Sequence, residues 1–135
     1  MRICCIINSR SGTAGDSPKT HINELFAKHG ITPKIFEPRD PGSITTLAKD
    51  AIQQNYDIII AGGGDGTINA VVSALVGNSA IKLGILPMGT FNHFARDLGI
   101  PTDMEKAVKI IVAGQVKSID VGEVNDRIFV NNSSL

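Results

Sequence analysis

The residues most able to do chemistry stand six in a row: Gly62-Gly63-Gly64-Asp65-Gly66-Thr67. With Gly at ~7% and Asp and Thr each near ~5%, chance places such a hexapeptide in a chain of this size with a probability on the order of 10⁻⁵. An apolar run, Tyr56 to Ala61, precedes it and a helical pattern from about Ile68 to Val76 follows, so the cluster joins a strand to a helix. Glycines there permit positive φ and remove the Cβ atoms that would block close approach. N–H groups at the start of the helix then face whatever docks, and the helix dipole favours an anion. Phosphate is the obvious guest. A turn that binds nothing needs one or two glycines, not four around an aspartate.

Which phosphate ligand is meant can be narrowed by what is missing. No lysine follows the glycines, so the P-loop pattern is absent. Gly62-x-Gly64 begins a dinucleotide fingerprint, but Thr67 holds the third glycine's place. The acidic residue that fingerprint wants about 20 positions on is missing as well, since that region reads Gly84-Ile85-Leu86-Pro87-Met88. A nicotinamide oxidoreductase is disfavoured. Asp65 would repel phosphates unless a cation intervened, so it reads as a residue that holds Mg²⁺ or positions the phosphates. A turn aspartate bonding its own backbone is the other reading. His21, His29 and His93 have no metal-ligand spacing with either cysteine, and zinc is not proposed. Cys4 and Cys5 would point to opposite faces of a strand, which makes them small buried hydrophobes rather than a disulfide.

The elements that must position these residues alternate along the chain. Ile3 to Ile7 reads as a first strand, followed by a glycine-containing loop, Ser9 to Asp16. Ser17-Pro18 then opens a helix that Gly30 stops. Lys34 to Glu37 is a second, weaker strand, and Ser43 can cap a second helix. After the glycine cluster, Gly77 stops the third helix and Lys82 to Leu86 is a fourth strand. A short helix reaches about Leu98, and Thr102-x-x-Glu105 is a capping box for a helix ending at Gly114. Ser118 to Val124 and Arg127 to Asn131 flank Asn125-Asp126, a hairpin signal. The sum predicts an α/β fold: a doubly wound, mostly parallel sheet with helices on both faces, its ligand beyond the carboxyl ends of the strands. The boundaries expected are a nucleotide-binding α/β domain over 1–117 and the start of a truncated β-rich domain over 118–135. The chain ends at Leu135 in or just after an apparent strand, as though cut from something longer.

Composition agrees and excludes. The chain has 135 residues, 42% of them hydrophobic, which suits one folded domain and rules out disorder. Thirteen Lys+Arg balance thirteen Asp+Glu, without the basic excess of a nucleic-acid binder. No apolar run approaches the ~20 residues of a membrane span, and no signal-peptide pattern opens the chain. A soluble, cytoplasmic domain is expected.

Gly62 to Asn69, together with Gly84-Ile85-Leu86-Pro87-Met88-Gly89-Thr90-Phe91-Asn92-His93-Phe94-Ala95-Arg96, resembles the catalytic domain of diacylglycerol kinases and related bacterial lipid kinases. Asn8-Ser9-Arg10-Ser11-Gly12 is similar to the family's opening Asn-Pro-x-Ser-Gly, and Ile119-Asp120-Val121-Gly122 to a later segment. The resemblance implies an ATP site in which Gly62, Gly63, Gly64, Asp65, Gly66, Thr67 and Asn69 hold the phosphates, with Asn8 and Thr90 lining the crevice. It implies Mg²⁺ as cofactor, Asp65 and Asp120 organising its network, and transfer of the γ-phosphoryl group to a lipid hydroxyl. Peripheral contact with the inner membrane surface and self-association stay open. The general base and a structural Mg²⁺ site would lie in the family's second domain. Ser9 replaces the family's proline, and His93 stands where many members have Asp. An NAD kinase-like phosphotransferase and a non-catalytic nucleotide-binding module are the alternatives.

Overall fold

The computed structural model describes residues 2–8, 18–38, 40, 42–76, 81–88, 96, 99–114, 119–124 and 127–132. Strand β1 (Ile3–Ile7) leads to helix α1 (Pro18–Ala27), β2 (Lys34–Phe36), α2 (Ser43–Gln53), β3 (Ile58–Gly63), α3 (Asp65–Leu75), β4 (Lys82–Pro87) and α4 (Met104–Ala113). An antiparallel pair, β5 (Ile119–Val124) and β6 (Arg127–Asn132), completes the order. The first four strands form one parallel sheet in the order β2-β1-β3-β4. Parallel strands of one sheet need crossovers, which α1, α2 and α3 supply.

Burial explains the near-continuous apolar strands. All five residues of β1 and all six of β3 are buried, because helices cover both faces of the sheet. Cys4, Ile6, Ile59 and Ala61 face α2 and α3 in one core layer; Ile3, Cys5, Ile7, Ile58 and Ile60 face α1 and α4 in the other. The predicted doubly wound α/β architecture is what forms. α1 brings Ile22, Leu25 and Phe26 to its layer, and α4 brings Ala107, Val108 and Ile111. Along their outer edge Lys28 reaches Glu105 at 3.8 Å, an exposed pair worth little. Among the described residues no helix is long and apolar enough to cross a membrane.

Element boundaries moved where capping decided them. α2 has Gly42, not Ser43, at its N-cap; Asp40 organises the turn by accepting from the N–H groups of Gly42 and Ser43. α4 is capped by Asp103 rather than Thr102, its carboxylate accepting from the N–H groups of Glu105 and Lys106 at 2.9 and 3.2 Å. A carboxylate one position closer to the helix outcompetes the threonine hydroxyl. Gly114 ends α4 in the left-handed conformation, as expected. The third strand runs two residues further than its apolar run, and α3 starts at Asp65 instead of Ile68. The strand hydrogen bonds continue through glycines that the apolar pattern cannot register. Ser17, Gly77, the helix to Leu98 apart from Arg96, and the Asn125-Asp126 turn lie outside the described residues.

Cys4 and Cys5 are free thiols on opposite faces of the central strand. Burial pushes the Cys4 thiol up to about 12 from 9.0, against a smaller opposing effect of Arg2, and pushes Cys5 up as well. Above 9.0 the unfolded chain loses these protons while the folded chain keeps them. Stability from this source is therefore intact below 9.0 and falls as pH rises toward the folded values, by up to about 1.4 kcal/mol per pH unit per thiol. Urea melts at pH 9 and pH 11 should show a smaller alkaline loss for Cys4→Ala/Cys5→Ala than for the unsubstituted chain; equal losses would contradict this assignment.

Candidate functional site

Three strand ends meet at the carboxyl edge of the sheet. The Asn8 N–H, just past β1, donates to the Gly62 carbonyl at 3.0 Å; the Met88 N–H, just past β4, donates to the Gly63 carbonyl at 2.9 Å. These bonds hold the end of β3 between its neighbours. Gly64 then takes an extended conformation at the N-cap, and α3 begins at once. The first intrahelical bond runs from the Ile68 N–H to the Gly64 carbonyl at 3.1 Å. The amides of Asp65, Gly66 and Thr67 precede it, and Gly64 has no side chain to cap them. Their partial positive charge adds to the helix dipole at this spot.

The glycines do different jobs. A Cβ on Gly62 would lie 2.6 Å from Ile7 Cγ2 and 3.2 Å from Met88 Sδ. One on Gly63 would lie 2.8 Å from Thr67 Oγ1 and 2.9 Å from Thr67 Cβ. Both residues are small because the protein itself occupies the space. Gly84 in β4 is a third such position, with Ile60 Cγ1 at 3.0 Å and Ile111 Cδ1 at 3.1 Å. Gly66 differs: a Cβ there meets nothing within 4 Å, and the residue is exposed in the first turn of a helix. Nothing in the described residues requires a glycine at that position, although glycine costs a helix ~1 kcal/mol relative to alanine. The space beside it is open.

The structure thus gathers Asn8, Gly62, Gly63, Gly64, Asp65, Gly66, Thr67 and Asn69 at one edge. Thr67 is buried at 4% exposure, turned back on Gly63. Asn69 follows Asp65 by one helical turn, and its side-chain Oδ1 is buried without a hydrogen-bond partner among the described residues. Asp120 lies in β5 opposite Asn131, in a two-stranded sheet separate from the one that carries the glycine loop. The backbone of β6 passes beside α3. Thr90 and His93 lie outside the described residues. The packing role of Gly84 was missed from sequence, although an isolated glycine inside an apolar strand is the usual sign of close approach. No group of three His, Cys, Asp or Glu side chains able to hold a metal ion occurs among the described residues.

Fold and site together define a parallel α/β domain in which a glycine-rich strand end opens a helix, with the first amides of that helix ahead of its first hydrogen bond. Residues 2–124 match the diacylglycerol kinase catalytic domain, and the chain belongs to that family. It is 40% identical over 105 residues to a diacylglycerol kinase of Staphylococcus saprophyticus, covering 77% of this chain and 34% of the relative. It is 39% identical over the same length, with the same coverage, to a diacylglycerol kinase of Staphylococcus carnosus. A crystal structure of a diacylglycerol kinase from Bacillus anthracis superimposes with a TM-score of 0.77 at 30% identity, over 95% of this chain and 45% of that one. The matched region spans about a third of the curated relatives' length.

The two classes of glycine separate in a stability measurement. Gly62→Ala should destabilise the chain by ~1–3 kcal/mol through overpacking against Ile7. Gly66→Ala should stabilise it by ~0.5–1 kcal/mol, because the helix gains a better former at an uncrowded position. Urea titration of both variants checks this, and a destabilising Gly66→Ala would contradict the reading of Gly66.

Proposed function

We propose that this chain is the nucleotide-binding part of an ATP-dependent lipid kinase that transfers the γ-phosphoryl group of ATP to the hydroxyl of a diacylglycerol-like lipid. The observation that carries the proposal is the start of α3: amides ahead of the first helical bond, with an exposed Gly66 that leaves the approach to them open. Membership of the diacylglycerol kinase family supports a lipid alcohol, rather than NAD, as the acceptor.

In this reading residues 1–117 form the nucleotide-binding domain and 118–135 open a second, β-rich one. The amides of Asp65, Gly66 and Thr67 hold the phosphate oxygens at the N-terminus of α3. Gly62 and Gly63 let β3 end tightly between its neighbours, with Asn8 just past β1 beside them. The residues present fit Mg²⁺ as well, since Asp65 and the buried Asn69 oxygen are hard oxygen ligands at the phosphate end. When bound, Mg²⁺ would neutralise charge on the transferring phosphoryl group. The chain's own contribution is positioning, since phosphoryl transfer of this kind needs no protein nucleophile. A lipid acceptor favours a cytoplasmic enzyme that meets the inner membrane surface peripherally.

Calorimetry of the chain with ATP and magnesium tests this. Binding is expected, and Gly64→Val should weaken it at least about tenfold, equivalent to about 1.4 kcal/mol, with the far-UV spectrum unchanged. Undiminished binding by a folded Gly64→Val variant would place the nucleotide elsewhere. Little lipid phosphorylation is expected from these 135 residues alone.

A further inference from the structure

We propose that Asn69 holds the divalent cation that accompanies the nucleotide, through its side-chain oxygen, either directly or by way of a metal-bound water. This rests on the nucleotide reading above and assigns the residue away from the phosphate contact that sequence alone implies. Asn69 Oδ1 is buried and has no hydrogen-bond partner among the described residues. The nearby hydroxyl of Ser73 does not serve it, because Ser73 Oγ donates to the Asn69 backbone carbonyl at 2.8 Å. An unpaired buried acceptor lowers stability, so its retention at a ligand site calls for a partner that arrives with the ligand.

The partner's chemistry follows from the atom. An amide oxygen only accepts, and phosphate oxygens also accept, so the two repel unless a cation or a proton-bearing group stands between them. Asn69 is four residues beyond Asp65, which puts both on one face of α3, a single turn apart and at the helix start. A carboxylate and an amide oxygen so placed match the ligands that Mg²⁺ takes from proteins, few in number, with phosphates and water supplying the rest. The described residues contain no cluster that could hold a metal unaided. Metal affinity should therefore appear only together with the nucleotide.

The test is calorimetric titration of ATP into the unsubstituted chain, Asn69→Ala and Asn69→Asp, each with excess magnesium chloride and with EDTA. The unsubstituted chain should bind more tightly with magnesium. Asn69→Ala should lose about tenfold with magnesium yet stay within about twofold in EDTA, whereas Asn69→Asp, which keeps an oxygen, should retain the magnesium enhancement. Melting without nucleotide should give Asn69→Ala a Tm no lower than that of the unsubstituted chain, since it loses an unpaired buried acceptor. Manganese resonance spectra should show the ion bound only when ATP is present, and less of it bound in Asn69→Ala. Equal weakening in magnesium and EDTA would identify a phosphate or base contact and overturn the proposal. So would unchanged binding in both, or an Asn69→Ala variant that fails to fold. If the unsubstituted chain binds no ATP in either buffer, the nucleotide reading itself fails and takes this one with it.

Discussion

Everything at the carboxyl edge depends on how closely β1, β3 and β4 approach one another where β3 ends. A single methyl group on Gly62 would sit 2.6 Å from the Ile7 side chain, inside any real carbon–carbon contact. Because that methyl is absent, the Gly62 and Gly63 carbonyls accept from Asn8 and Met88 and the three strands finish level. The chain then turns into α3 within one residue. A larger residue at this point would push the strands apart and displace the helix start with its leading amides.

The two core layers provide the rigidity that such a junction requires. Helices on both faces bury β1 and β3 completely. α3 belongs to both arrangements: Ile68, Val71 and Val72 anchor it in the core, while Gly66, in its first turn, opens to solvent. Packing energy thus fixes the direction in which the helix dipole points. Polar groups at such a site gain strength from being held in place before any ligand arrives.

Much of this was legible in the residues. Continuous apolar runs such as Tyr56 to Ala61 declare a strand buried on both sides, and the adjacent cysteines declare opposite faces. Gly114 and Pro18 marked helix ends correctly because each acts through its own backbone geometry. Less legible was whatever depends on competition or on distant contacts. Asp103 displaced Thr102 as a cap because two neighbouring residues both had suitable oxygens. The division of labour among the glycines was invisible, since identical residues in one motif answer to different surroundings: Ile7 for Gly62, Thr67 for Gly63, open space for Gly66. That the Asn69 side-chain oxygen has no partner among the described residues likewise emerges only from the packed structure.

The central claim is that the amides opening α3 form the seat for the triphosphate. Proton–nitrogen correlation spectra of the labelled chain, titrated with ATP and magnesium, test it residue by residue. The account predicts that the largest displacements fall on the amides of Gly64, Asp65, Gly66 and Thr67, with Arg2 and Asp57 at the opposite end of the sheet unmoved. Displacements centred on other elements, with the α3 amides silent at saturation, would contradict it.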